Sequence, residues 1–413
     1  MIISIFLLFY VFYKSEIFWN GEKRNYYLIY YYISIITIIF SIITFYLNKK
    51  ITSYLIIILI SSIFTIYLFE FYLTILPKEK KELNKKIQFY EQQTKKDFDT
   101  RSLFEIYREY KNKYKNTAIF IGPRYYPLSN IHSLSNISNS ITILCNENGY
   151  YSIYSSDRYG FNNPNEEWDA NEIEYLLLGD SFTQGYCVNR GQEIASILRN
   201  LSKKSILNLG FGSNGPLTEY ASLREYFKPN IKNILWFYYE GNDIQDLKSE
   251  LMSPILTKYM KDLNFTQDLI LRQNEIDEIT KTKMEKIIEL YEQRIIENNF
   301  ISRFVNFIKV INLRNRIFTK SHTQKNLEDN LYSEFKEILR SANNFSKKNN
   351  TKFYFIYLPE YERYKTNYND SSYLLIKKIV NELNIPFIDI HEKVFKKENF
   401  PLKLFPFEMN GHY

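Results

Sequence analysis

Two cysteines, four histidines and twelve glycines among 413 residues exclude more than they suggest. Cys145 and Cys187 support neither a cysteine-rich metal site nor a disulfide-dense scaffold. In an externally exposed domain they would pair as one disulfide; two free, buried thiols are the alternative. The start of the chain lacks the basic n-region and small-residue cleavage site of a secretory signal. Charge is absent from Tyr26 to Leu47 and from Ile51 to Phe69. Each run is long enough to cross a bilayer as a helix, so spans are expected at 26–47 and 51–72. A third, shorter span at 2–19 requires Ile17, Phe18 and Trp19 to extend the apolar run Ile2 to Tyr13 across Lys14 and Glu16. Residues 1–76 thus read as a transmembrane region with the lipid bilayer as partner.

Positive charge does not argue for nucleic acid. Much of the formal excess of +7 lies just after the last span, at Lys78, Lys80, Lys81, Lys85, Lys86, Lys95 and Lys96. A solvated helix beside lipid headgroups accounts for it, and no nucleic-acid partner is expected.

Residues 77–122 are charged, glycine-free from Glu79 to Lys115, and stop at Gly122-Pro123; they read as a helical stalk. Residues 123–171 read as a small β-rich lead-in, with short runs at Ile141 to Leu144 and Tyr150 to Tyr154 and a closing turn signal at Asn162-Asn163-Pro164. From Glu172 the pattern alternates. Apolar runs at Glu174 to Leu178, Ser205 to Leu209, Asn233 to Tyr239, Lys352 to Leu358 and Ile385 to Ile390 are separated by helical periodicity, as in Leu331, Phe335, Ile338, Leu339, Ala342 and Phe345. Residues 172–413 are therefore expected to fold as an α/β domain, with a parallel sheet in flavodoxin-like order and ligands at the carboxyl ends of its strands. One gap, about 247–326, is too long for a crossover and reads as a helical insertion. It holds Met284, Ile287, Ile288 and Tyr291 at helical spacing and a greasier Phe304, Val305, Phe307, Ile308 and Ile311. A lid, an oligomer contact and packing on the parent domain are its possible uses.

The first strand breaks at Gly179-Asp180-Ser181 and a helix follows. A serine there sits beside the free N–H groups of a helix N-terminus, a favourable place for a nucleophile. On this stretch alone, Asp180 or Ser181 acting only as a helix cap reads equally well. The second strand ends in Asn208-Leu209-Gly210-Phe211-Gly212-Ser213, the third in Glu240-Gly241-Asn242-Asp243, and the chain reaches Asn410-Gly411-His412 after the fifth. A serine, close-packed glycines, an asparagine and a histidine thus converge on one edge of the expected sheet.

These blocks resemble the SGNH (GDSL-type) hydrolase family from about Cys145 onward. Gly179-Asp180-Ser181 matches its first block, Gly241-Asn242-Asp243 its third and His412 its last. The resemblance implies the family's fold and ester hydrolysis or acyl transfer, with Ser181 as nucleophile, His412 as base and no metal or organic cofactor. It also implies an oxyanion hole formed by the Ser181 N–H, a backbone N–H at Gly212 or Ser213, and the Asn242 amide, with Asp180 and Gly241 in support. Cys145 to Tyr150 and Ser156 to Pro164 resemble the lead-in of membrane-anchored members linked to bacterial surface polysaccharide. That implies an esterified glycan as substrate, the bacterial inner membrane as location and a periplasmic or extracellular domain, although the lysines after the last span point the other way under the positive-inside rule.

Three departures from the family stand out, the first being Ser213 where a glycine is usual in the second block, with Gly212 beside it. The position three before the histidine, normally the triad acid, is Met409, which leaves Asp389 and Glu408 as the acids to consider. The chain also stops at Tyr413, before the short helix that usually follows. An O-acyltransferase and a non-catalytic binding or scaffold protein are the alternatives to an esterase. His391, two residues after Asp389, is the rival base.

Overall fold

The computed structural model describes residues 2–18, 21, 24–75, 78–297, 300–318, 325–365 and 368–413. They divide into two units, Met1–Pro77 with Asn299–Ser321, and Lys78–Asn298 with His322–Tyr413.

The first unit opens with α1 (Ile2–Phe12), α2 (Arg24–Thr44) and α3 (Lys49–Ile75). Lys49–Thr74 is the one stretch among the described residues long and apolar enough to cross a membrane, and none of its most apolar window is buried. Ile56 to Ile60 are each more than half exposed in succession, so α3 is greasy all round rather than on one stripe. The apolar part of α2, Tyr30–Thr44, is shorter. Trp19, on which the 2–19 span leaned, lies outside the described residues.

The second unit begins with α4 (Lys78–Thr94) and α5 (Leu103–Lys113), followed by β1 (Thr117–Ile119), β2 (Arg124–Tyr126), β3 (Ile131–Ser133), β4 (Ile141–Ile143) and β5 (Ile153–Ser155). The expected stalk is corrected here. Ser102 and Glu105 form a capping box that starts a separate helix, α5, whose Ile106 and Tyr107 are buried with Ala118, Ile119, Ile143 and Met284. A boundary at 122 also fails, because β1 joins the lead-in sheet as the parallel neighbour of β4, which pairs antiparallel with β5. Charge pattern alone cannot distinguish a free helix from one whose apolar side is covered.

The remaining strands are β6 (Ile173–Leu178), β7 (Ile206–Asn208), β8 (Ile231–Tyr239), β9 (Lys352–Leu358) and β10 (Phe387–Asp389). All pair in parallel, in the order β10-β9-β8-β6-β7. Numbered within the sheet this is 2-1-3-4-5, the flavodoxin-like order, with β6 at the switch point. Period-two alternation assigns the faces: Leu176 and Leu178 of β6 join Trp236 and Tyr238 on one side, and Leu177 joins Ile206 and Phe237 on the other. Between the strands run α6 (Ser181–Gln184), α7 (Ile194–Ser202), α8 (Pro216–Tyr226), α9 (Asp243–Glu250), α10 (Leu256–Lys261), α11 (Gln273–Glu297), α12 (Phe300–Ile308), α13 (Ile311–Phe318), α14 (Lys325–Lys348) and α15 (Ser371–Glu382), and α16 (Ile390–Lys393) follows the last.

The insertion divides by its chemistry. Leu256, Tyr259, Leu269 and Ile276 enter the main core of the second unit. α12 and α13 belong to the first.

Candidate active site

The turn after β6 is built by close approach. Gly179 has φ +153, and a Cβ there would lie 2.1 Å from Thr183 Oγ1, so a side chain would break the turn. Asp180 caps α6, its carboxylate accepting the Phe182 N–H at 2.9 Å. Asp180 is thus the cap, and the Ser181 hydroxyl faces an imidazole.

His412 Nε2 lies 2.8 Å from Ser181 Oγ. The other ring nitrogen, Nδ1, is 3.2 and 3.1 Å from the two carboxylate oxygens of Glu147, which also accepts the His412 backbone N–H at 2.8 Å. With Glu147 accepting from Nδ1–H, the tautomer leaves Nε2 as acceptor for the serine hydroxyl. Both side chains are largely buried, at 18% and 22% exposure, so the pair is shielded from water without being sealed. Burial pushes the Glu147 carboxyl up, but the hydrogen bonds and charge of His412 outweigh it and hold the group below its ordinary range.

Several contacts bring His412 here. Gly411 precedes it, and a Cβ at Gly411 would stand 2.9 Å from Glu147 Oε2, so a side chain there would make the carboxylate shift. The imidazole packs between Phe182 and Tyr186, with ring centroids 4.6 and 5.2 Å away. Tyr413 is anchored by Phe182, Phe395 and Phe405, and its hydroxyl donates to the Pro359 carbonyl at 2.8 Å.

Glu147 is held from both sides. Cys145 and Cys187 form a disulfide, resolving the alternative left by the sequence. Asn146 Nδ2 donates to the Asp99 carbonyl at 2.7 Å, and Asn148 Nδ2 to the Cys187 carbonyl at 3.1 Å. Glu147, Cys187 and His412 bring possible metal donors within 4.8 Å of one another. The Cys187 sulfur is spent in the disulfide and His412 Nδ1 on Glu147, which suits the end of a triad and not a ligand set.

The expected acids are corrected. Asp389 accepts from Tyr373 Oη at 2.6 Å and from the Glu392 N–H at 3.1 Å, capping α16, and Glu408 is an exposed side chain. His391 is buried against Tyr364, whose hydroxyl is 2.6 Å from Nδ1, so the rival base is committed elsewhere. His132 is buried beside Ser253, and His322 lies outside the described residues. Glu147 was missed because neighbouring residues do not mark it as an acid; its one signal is its place in the Cys145 to Tyr150 segment.

The groups expected to hold an oxyanion differ in what they already bond to. The Gly212 N–H is given to Gln184 Oε1 at 2.8 Å, so the earlier pairing of Gly212 with Ser213 narrows to Ser213, whose N–H bonds to no other described residue. Asn242 Nδ2 donates one hydrogen to Asp246 at 2.8 Å and keeps its second. Gly241 forms the turn between β8 and α9 that carries it. Burial pushes the Asp246 carboxyl up to about 7, helped by repulsion from Glu250 and Asp180. Asp180, Glu219, Asp243 and Glu250 are buried near it, and burial raises each of them too.

Glu240, at the end of β8, is locked to Arg363, which follows β9; their side chains are 2% and 4% exposed. Glu240 also accepts the Glu360 N–H at 3.1 Å, tying adjacent strand ends together directly before Asn242.

No family model matches the chain, and no curated protein is similar enough to count as a relative.

Proposed function

We propose that the second unit is a serine ester hydrolase of the SGNH type, with Ser181 as nucleophile, His412 as general base and Glu147 as the acid. The carrying observation is the continuous chain from Ser181 Oγ through His412 to the Glu147 carboxylate. His412 Nε2 takes the hydroxyl proton as Oγ attacks the ester carbonyl, and Glu147 stabilises the imidazolium that forms. The carbonyl oxygen becomes an oxyanion, held by the free hydrogen of Asn242 Nδ2 and the N–H groups of Ser213 and Ser181. Collapse expels the alcohol, which takes the proton from His412 and leaves an acyl-serine. Water, deprotonated by the same imidazole, then releases the carboxylic acid and restores the serine. With Met409 in the usual acid position, the Glu147 carboxylate arriving from the lead-in supports the catalytic reading over a non-catalytic scaffold.

The substrate we propose is an acyl ester of a surface glycan, carried out by a membrane-anchored enzyme with spans at 2–19, 26–47 and 51–72 and a catalytic unit outside the inner membrane. The bare apolar length of α3 supports the anchor. A disulfide beside the site supports an oxidising compartment.

Release of acetate from an aryl acetate, compared between the parent chain and Ser181→Ala, tests the reading. Loss of turnover in the variant is expected, and equal turnover would sink it. Acetyl appearing on an added glycan instead of in water would mark the enzyme as a transferase with the same nucleophile.

A further inference from the structure

The insertion that interrupts the second unit contributes two helices to the first, and their packing within that unit points to a role. Tyr67, Glu70 and Thr74, spaced on one face of α3, receive them. The Tyr67 ring meets Phe307 of α12 at a 45° tilt with centroids 5.4 Å apart, and its hydroxyl donates to the Ile308 carbonyl at 3.0 Å. Glu70 is fully buried and accepts three hydrogens at the start of α13: the Asn312 N–H at 2.9 Å, the Leu313 N–H at 2.8 Å and Asn312 Nδ2 at 2.9 Å. Asn312 Nδ2 also donates to Thr74 Oγ1 at 3.1 Å. A carboxylate in so apolar a helix is tolerated because these donors and the positive end of a helix dipole meet it.

α12 is amphipathic. Phe304, Val305 and Ile308 share one face and are exposed, at 53%, 37% and 49%, while Asn306 and Lys309 are exposed on the other side. Glu70 lies four residues before Thr74, roughly 6 Å along the axis from the end of the apolar stretch. If α3 crosses the bilayer, that depth is the boundary between acyl chains and headgroups, where amphipathic helices lie in plane.

We propose that α12–α13 is a second membrane element, an in-plane anchor docked on α3 through Glu70, with the Val305 and Ile308 face covered by lipid. The proposal rests on the reading of α3 as a spanning helix. Lipid is the occupant because the exposed face belongs to a helix packed against α3, whose most apolar window is itself uncovered.

The test uses the full chain, disulfide intact, in phosphatidylcholine–phosphatidylglycerol vesicles. Single nitroxide labels are placed at Ile308→Cys, at Ile57→Cys in the middle of α3, and at Leu290→Cys on α11. Collisions with oxygen and with a water-soluble nickel chelate are then measured. The expected result is that the labels at 308 and 57 lose nickel collisions and gain oxygen collisions, whereas the label at 290 does the reverse. A label at 308 that behaves like 290 while 57 stays in lipid overturns the anchor and leaves the span intact. A label at 57 that behaves like 290 overturns the span, and the anchor with it. Shielding of 308 from both reagents, with spin–spin broadening that fades on dilution with unlabelled chain, would assign the face to a second copy and overturn the lipid assignment. Glu70→Ala should return nickel collisions to 308, and unchanged collisions would remove Glu70 from the docking. Should that variant fail to fold, the milder Asn312→Ala gives the same readout.

Discussion

His412 Nδ1 is held by Glu147, a residue 265 positions earlier in the chain, while its Nε2 meets Ser181. The carboxylate that holds the imidazole therefore arrives from the lead-in, not from the stretch that carries the histidine. Ser181→Ala and His412→Ala should each abolish ester turnover. Glu147→Gln keeps the volume but loses the charge that fixes the tautomer, and should lower kcat by about 100-fold or more. Asp389→Asn and Glu408→Gln should leave kcat within about twofold, and Asp389→Asn should also keep the α16 cap, since an asparagine oxygen accepts there as the aspartate does. A dead Asp389 variant beside an active Glu147 variant in steady-state kinetics would reverse the assignment.

The oxyanion assignment separates donor from orienter. Asn242→Ala should lower kcat by about 100-fold or more, with KM little changed, because the donor acts on charge that develops during reaction. Asp246→Asn should cost less, since it only holds one hydrogen of the Asn242 amide. Equal losses in the two variants would show Asp246 to be more than an orienter.

Reducing the disulfide should release Glu147. Cys145 and Cys187 are 42 positions apart, so losing the link should cost about 4 kcal/mol by the loop-entropy argument, and the activity loss should resemble that of Glu147→Gln. Intact mass with and without alkylation, paired with kinetics of Cys145→Ala/Cys187→Ala, checks it; full activity in that variant would mean the lead-in stays put unaided.

Stability should rise as the pH falls from 8 to 6.5. In the folded state Asp246 holds its proton up to about 7, whereas an unfolded aspartate has lost it near 3.8. The native state thus binds more protons in this window and gains as pH drops. Asp180, Glu219, Asp243 and Glu250, all raised by burial, act in the same direction. Below about 6.5 the buried His132, pushed down to about 4 by loss of hydration, opposes them, because the unfolded histidine takes up a proton that the folded one refuses. Thermal melts across the range should show the rise before any plateau. Asp246→Asn should flatten it.

Arg363→Met should destabilise the second unit by about 3–5 kcal/mol, since Glu240 would keep a buried charge without its partner. The double variant Glu240→Gln/Arg363→Met should recover part of that loss in urea melts, and no recovery would mean the pair is not coupled.

The sequence by itself determined the five strands and their helices, the turn at Ser181 and the apolar length of α3, because each follows from local periodicity and turn chemistry. Strand boundaries moved by a residue or two, as expected where ends fray. Tertiary structure decided what depends on contacts distant in sequence. Charge pattern made 77–122 a stalk, yet Ile106 and Tyr107 of α5 are buried by partners from β1, β4 and α11. Glycine spacing left Gly212 and Ser213 equivalent until Gln184 claimed one N–H. A carboxylate carries no local mark of being a triad acid; only the fold, which sets Gly411 against Glu147, distinguishes that residue from Asp389 and Glu408.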